Sequence, residues 1–340
     1  MRILIVRIGR AGDIVMTTPA LSAIIRCYPD ASITFLTGPD GPRLLKDYHP
    51  QLEELWVWNR SGALAYFNKR KIIKKLDATR FDKIFCFETN KNIAAIFKRY
   101  DSQLYWSGTL DNTIHCSQNY LDIVKQACPS SGDEFYAHLP VKDDAIKQVD
   151  KELSAIGISD DDTVIMLHPT FSGYTSNPFA SLFSKKYRTQ TKHRLWPANK
   201  FSELGIMLSQ LKLPDNRMPK VIIDLIPDEA ELGNEIIKTA DGSITLLLEP
   251  PNFERYKALI KRADLLVTPN TGPLHIAAAV DTEIVALFSK WNPADCGPFM
   301  KAGRYTILRA EDTQDPQLGL PSIPVSTVFE ACKQRLLSKK

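Results

Sequence analysis

Thr268-Pro269-Asn270-Thr271-Gly272-Pro273-Leu274-His275 is the stretch that decides the fold. The run leading into it, Asp264-Leu265-Leu266-Val267, is short, apolar and unalternating, as a parallel strand covered on both faces must be. Pro273 suits the first position of a helix, where its missing N–H costs nothing, and Gly272 lets a ligand come close to the backbone. The spacing therefore predicts a strand emptying into a helix N-terminus. Free N–H groups and the positive end of the helix dipole would suit a phosphate or pyrophosphate there, and a ligand-free strand-to-helix turn fits the same residues.

Outward from this turn, apolar runs of strand length alternate with amphipathic stretches, the pattern of βαβ units around a parallel sheet. A first series is Arg2–Ile8, Ile33–Leu36, Leu55–Trp58 and Lys83–Phe87; a second is Thr163–Leu167, Val221–Leu225, Ile244–Leu248, Asp264–Val267 and Ile284–Phe288. Between them Val141–Gly157 reads as a helix ending at glycine, followed by the polar Ser159–Asp162. We place the domain boundary there, giving α/β domains over 1–157 and 158–324 and a final helix, Val325–Leu337, within 325–340. Two doubly wound domains imply a ligand cleft between their strand C-terminal edges. Phe171 to Arg194, rich in Ser, Thr and Lys, reads as a long loop over that cleft, and Glu311 to Pro324, with three prolines, as another loop.

With 340 residues, 44% of them hydrophobic, the chain can bury two cores. A net charge of +4 does not mark a nucleic-acid binder. Six cysteines, Cys27, Cys86, Cys116, Cys128, Cys296 and Cys332, include no C-x-x-C pair. Neither a zinc site nor a disulfide framework is expected, and a reduced, cytosolic compartment fits. The opening Met1–Arg7 is too short and too charged for a signal peptide, and no uncharged apolar run would span a bilayer, so membrane contact is expected to be peripheral if it occurs. The basic run Lys69–Lys75, on a predicted helix, fits a solvated face or an attraction to lipid phosphate.

After the first strand comes Ile8-Gly9-Arg10-Ala11-Gly12-Asp13-Ile14-Val15-Met16-Thr17-Thr18-Pro19. It has neither the G-x-G of a dinucleotide fingerprint nor the lysine of a P-loop. Asp13, at the mouth of the strand, fits two roles: helix N-cap, or a general base facing the cleft. His168, which closes the first strand of the second domain, could likewise reach a ligand or close a loop.

Taken together the two motifs resemble the heptosyltransferase family of bacterial glycosyltransferases (glycosyltransferase family 9), which use ADP-heptose to build the lipopolysaccharide inner core. The matching residues are Gly12, Asp13, Thr17 or Thr18, and Pro19 at one end, and Asn270-Thr271-Gly272-Pro273-Leu274-His275 before an alanine-rich helix at the other. A shorter match is a basic residue ahead of Trp196-Pro197, supplied by Lys192 or Arg194. The resemblance implies a GT-B arrangement of two Rossmann-like domains and an inverting, metal-independent transfer, with a nucleotide sugar as donor and no separate cofactor. It implies Asp13 as base in an acceptor-side turn with Gly12, Thr17 and Thr18. The Asn270–His275 turn would hold the donor diphosphate, and Lys192 or Arg194 would neutralise the leaving ADP. The acceptor would be an anionic glycolipid or other glycan, the enzyme cytoplasmic or peripheral on the inner membrane, with no nucleic-acid partner. Asn270 stands where the family has Asp, which leaves the sugar open, and Ser289–Pro293 replaces a Gly-Pro-Thr turn. Two other readings are a binding or assembly protein that kept the fold and lost the reaction, and a nucleotide-sugar epimerase, whose motifs match poorly.

Overall fold

The structure, a computed structural model, describes residues 1–60, 65–99, 104–129, 134–171 and 193–338. It divides into two compact units, Met1–Pro140 with Ala294–Phe299, and Val141–Pro293 with Met300–Lys340.

In the first unit β1 (Arg2–Arg7), β2 (Ser32–Thr37), β3 (Leu52–Val57), β4 (Lys83–Cys86) and β5 (Leu104–Tyr105) form a sheet in the order β3-β2-β1-β4-β5. Every pairing is parallel. Ile3 to Val6 are fully buried, because helices cover both faces; this is why the strand reads as an unbroken apolar run. Trp56 and Trp58 belong to this core, Trp56 edge-on to Phe81 at 5.8 Å. The chain leaves the sheet centre after β1 and returns beside it as β4, so the strand order reverses between these two. Loops after β1 and β4 thus flank a switch point, where a parallel sheet opens a crevice for ligands.

The second unit repeats the plan with β6 (Val164–Leu167), β7 (Lys220–Leu225), β8 (Thr245–Leu248), β9 (Leu265–Pro269), β10 (Glu283–Phe288) and β11 (Tyr305–Arg309). Their order is β11-β10-β9-β6-β7-β8, again all parallel. Here the reversal falls between β6 and β9, and β9 ends in the stretch that opened the sequence reading. Helix Gly272–Ala279 follows directly, with proline in its first turn.

Three expectations need correction. Helix Asp143–Ala155 packs in the second unit, not the first, where its Glu152 accepts a 2.6 Å bond from Arg255 Nε. The boundary is therefore at Pro140/Val141 rather than Gly157. Ala294–Phe299, assigned from sequence to the second domain, belongs to the first unit: Ala137 N–H donates to the Phe299 carbonyl at 3.0 Å, and the Cys116 thiol donates to Asp295. The final helix, Val325–Leu337, is no appendage, since Val328 and Cys332 are fully buried in the second core. Cysteine usage also differs from the expectation of free thiols. Cys27 and Cys128 form a disulfide with Cα atoms 6.4 Å apart, while Cys86, Cys116, Cys296 and Cys332 are free. The bonded pair lies 101 residues apart and meets only because two helices of the first unit pack together, which spacing does not encode.

Candidate active site

In the first unit the switch point carries Asp13. The residue occupies the third position of the short helix Ala11–Val15, and its Oδ2 accepts the Arg10 N–H at 2.9 Å, so it does cap the helix start. Its Oδ1 accepts Arg7 Nη2 at 2.7 Å. Both oxygens keep a further lone pair, and the side chain is 34% exposed, so capping leaves the carboxylate open to a hydroxyl donor. Gly9 makes this fold-back possible: a Cβ there would stand 2.3 Å from Asp13 Cβ.

Opposite, at the end of β4, Glu88 is 3% exposed and lies within 3.5 Å of Arg7 and 3.7 Å of Arg60. It also accepts the Ile8 N–H at 2.5 Å. Burial works against the charge of Arg7, but the Tyr120 phenol and the carboxylates of Asp13 and Glu88 outweigh it and hold its pKa above the ordinary arginine value. Arg60 Nη2 donates to the Ile8 carbonyl at 2.6 Å, tying the loop after β3 to the same turn. Arg7, Glu88 and Arg60 were not singled out from sequence. The available signal was a carboxylate immediately after a buried strand, Phe87-Glu88, which cannot be weighed until the sheet order is known. Thr17 and Thr18 lie on the following turn, fully buried, with hydroxyls donating to the Ile14 and Val15 carbonyls at 2.7 and 2.8 Å. Thr18 Oγ1 also accepts the His138 N–H. Gly12 is the second residue of the short helix.

In the second unit Thr271 holds the N-cap position of helix Gly272–Ala279 in extended conformation, yet its hydroxyl donates back to the Pro269 carbonyl at 3.2 Å. The Thr271 side chain does not cap the helix; Pro273 has no N–H and the Leu274 N–H donates to the Thr271 carbonyl at 3.1 Å, which leaves the Gly272 N–H at the head of the helix beside the switch point. The Asn270 N–H is bonded to the Leu287 carbonyl of β10, and Leu274 and His275 are buried behind the turn. Pro273 lies in the first helical turn.

Beside it, at the end of β6, His168 N–H donates to the Val267 carbonyl, so His168 and the Thr271 turn flank the same reversal. Its imidazole makes two contacts: Nδ1 to the Tyr256 hydroxyl at 3.2 Å and Nε2 to Thr170 Oγ1 at 3.3 Å. Burial pushes the His168 pKa down to about 4, so the ring is neutral at pH 7 and carries one proton. A neutral imidazole donates from one nitrogen and accepts at the other, so one of the two hydroxyls donates to the ring and the other accepts from it. His168 is therefore a connector whose two nitrogens are both engaged by protein groups.

Arg194 is placed by four contacts of its segment. The carbonyl of its neighbour His193 accepts the Ser289 hydroxyl from the end of β10 at 3.1 Å and the Leu320 N–H at 3.1 Å. Trp196 is buried, its indole donating to the Ile323 carbonyl at 3.0 Å. The guanidinium itself lies 4.8 Å from the ring centre of Phe171, three residues beyond His168. Its backbone is thus anchored beside β10 and its charge lies beside the exit of β6. The strand between those two is β9, whose turn is Asn270–Pro273. Lys192 lies outside the described residues, as does most of the Phe171–Arg194 loop. Trp291 is exposed and Lys290, at φ 64°, donates its N–H to Glu311.

Residues 181–322 match the model of glycosyltransferase family 9 (heptosyltransferase). Over that stretch the chain is similar to the family 9 glycosyltransferases. The matched residues include β7 to β11, Arg194 and the Asn270–His275 turn. Lipopolysaccharide heptosyltransferase 3 of Escherichia coli (strain K12) is 26% identical over 313 residues, covering 83% of this chain and 82% of that protein. The family 9 glycosyltransferase of Veillonella parvula shares the fold over 98% of this chain and 97% of its own, at 18% identity and TM-score 0.79. The ADP-heptose lipopolysaccharide heptosyltransferase II of E. coli shares it over 99% and 98%, at 18% identity and TM-score 0.70. The fold is accordingly that of the GT-B glycosyltransferases.

Proposed function

We propose that this family 9 glycosyltransferase moves heptose, or a related sugar, from ADP-heptose to a hydroxyl of a lipopolysaccharide core acceptor, with inversion and with Asp13 as base. In this reading the acceptor oxygen forms a bond to the anomeric carbon while the bond from that carbon to the ADP oxygen breaks. The hydroxyl proton passes to Asp13, whose second lone pairs are open, and the bonding electrons leave with ADP. Charge then builds on the departing diphosphate, where the uncapped N-terminus of helix Gly272–Ala279 and the guanidinium of Arg194 would stabilise it without a metal ion. What supports the reading is that the segment carrying Arg194 is anchored at the end of β10 while its guanidinium packs on Phe171 beyond β6, the two strands on either side of β9. Asn270, a neutral amide where the family has a carboxylate, would add no negative charge beside the diphosphate.

The test is ADP release from ADP-heptose in the presence of a core acceptor lacking the terminal heptose. Asp13→Asn should lower turnover by roughly a hundredfold or more while ADP affinity stays within a few-fold. Undiminished turnover in this variant would remove Asp13 from the role of base.

A further inference from the structure

Helix Ala65–Ala78 of the first unit buries Ile72 and Leu76 against the core. At the helical repeat, the opposite face carries Tyr66, Phe67, Arg70, Lys71 and Lys74, with Lys75 at its margin. Tyr66 and Phe67 are 60% and 64% exposed, the most exposed large apolar side chains among the described residues. Two aromatic rings side by side, packed on each other at 5.9 Å and followed by a row of cations, serve nothing in the core. Arg70 stacks on Tyr66 and Lys75 on Trp56, contacts that order these side chains and leave their charge intact. The single acid of the helix, Asp77, is paired at 2.8 Å with Arg99, so it does not cancel the charge of the lysines.

We infer that this outward face docks the enzyme on an anionic lipid bilayer. A merely solvated helix needs the lysines but not the aromatics; a bilayer surface takes both, the cations at the headgroup phosphates and the rings at the boundary with the acyl chains. The placement suits a lipid-linked acceptor. Asn68, in the first turn, donates to the Asn59 carbonyl, and the adjacent Arg60 grips the Ile8 carbonyl in the turn that carries Asp13. Docking itself rests on the helix alone; its use in presenting acceptor to Asp13 rests on the proposed function.

The experiment is co-sedimentation of the full chain with vesicles of phosphatidylcholine and of phosphatidylcholine with 30% phosphatidylglycerol. Binding to the anionic vesicles, at least tenfold above the neutral ones and falling with added sodium chloride, is expected. Lys71→Glu with Lys74→Glu should reduce it by roughly fivefold per lysine or more, and Tyr66→Ser with Phe67→Ser should reduce it at fixed charge. Circular dichroism and ADP affinity like the parent's establish that the variants are folded. Equal binding to both vesicle types, or variants that bind as the parent does, overturns the proposal. So does release by inorganic phosphate beyond that by chloride of equal ionic strength, which would assign the patch to a discrete phosphate ligand. ADP binding unaffected in all variants would leave the donor assignment standing whichever way the vesicles answer.

Discussion

Asp13 caps the start of its helix, and the geometry of that cap leaves room for the role of base that the sequence presents as its alternative. Capping uses one lone pair on Oδ2 and the Arg7 contact one on Oδ1, and the exposed remainder is what a base requires. His168 goes the other way: its position at the end of β6 is as legible as that of Asp13, yet both nitrogens are occupied by Tyr256 and Thr170. This gives it a pH signature. Its folded pKa of about 4 lies below the unfolded value of ~6.5, so between these values the unfolded chain binds the proton and the folded chain does not. The stability linked to His168 is therefore present above pH ~6.5 and is lost as pH falls toward about 4. Between pH 7 and pH 5 the loss is about 2 kcal/mol. Asp224, pushed up to about 6 by burial despite its bond to Arg255, works in the opposite direction over part of this range. Comparing the parent with His168→Gln cancels the Asp224 contribution. Urea titrations at both pH values should show the parent losing about 2 kcal/mol more than the variant, and identical pH dependence would refute the assignment of a buried neutral histidine.

Among the elements, the strands were legible because parallel strands covered on both faces must be apolar throughout. Of the described strands two escaped, both at sheet edges: β5 because it has two residues and β11 because Tyr305–Arg309 is half-buried along its length. The turn after β9 was legible for the same local reason: its proline and glycine encode a helix start. What the chain does not encode locally is which elements lie next to one another. The Ser289–His193 bond, the Arg194–Phe171 contact and the Arg7–Glu88 pair depend on sheet order, and no spacing rule supplies that. Gly319 offers a test of the Arg194 placement away from the site. It has φ 70°, and a Cβ there would stand 2.5 Å from the His193 carbonyl oxygen, backbone that cannot swing aside. Gly319→Ala should therefore shift the segment carrying Arg194 and weaken ADP binding in the direction of Arg194→Ala, roughly tenfold for a lost charge-assisted contact. Full ADP affinity in both variants would move the cation elsewhere, with Lys192 next to be tried.

Across the whole molecule, the order of motifs along the chain becomes intelligible once each unit is a sheet that reverses at its centre. Asp13 follows the first strand of the first sheet and Thr271 the fourth strand of the second, so each lies at a switch point although 258 residues separate them. The same long-range closure explains the segment Ala294–Phe299 and the Cys27–Cys128 disulfide, neither of which the sequence announced. The disulfide ties the end of helix Thr18–Cys27, which begins in the Asp13 motif, to the region after helix Cys116–Lys125. A bridge closing so long a loop commonly contributes about 2–4 kcal/mol. Reduction by a dithiol should lower the urea midpoint of the first unit accordingly while leaving nucleotide binding in the second; an unchanged midpoint would mean the bridge adds nothing to folding. Among the described residues no helix is long and apolar enough to cross a membrane.

The central claim is that the uncapped helix N-terminus and Arg194 bind the diphosphate of an ADP-linked sugar. Calorimetric titration of the purified chain with ADP, UDP, GDP and NAD addresses it before any acceptor is known. Saturable binding of ADP, at least tenfold tighter than UDP, GDP or NAD and weakened in Arg194→Ala, is the expected result. Preference for UDP or GDP would contradict the donor assignment, and no binding of any of the four would contradict the site itself.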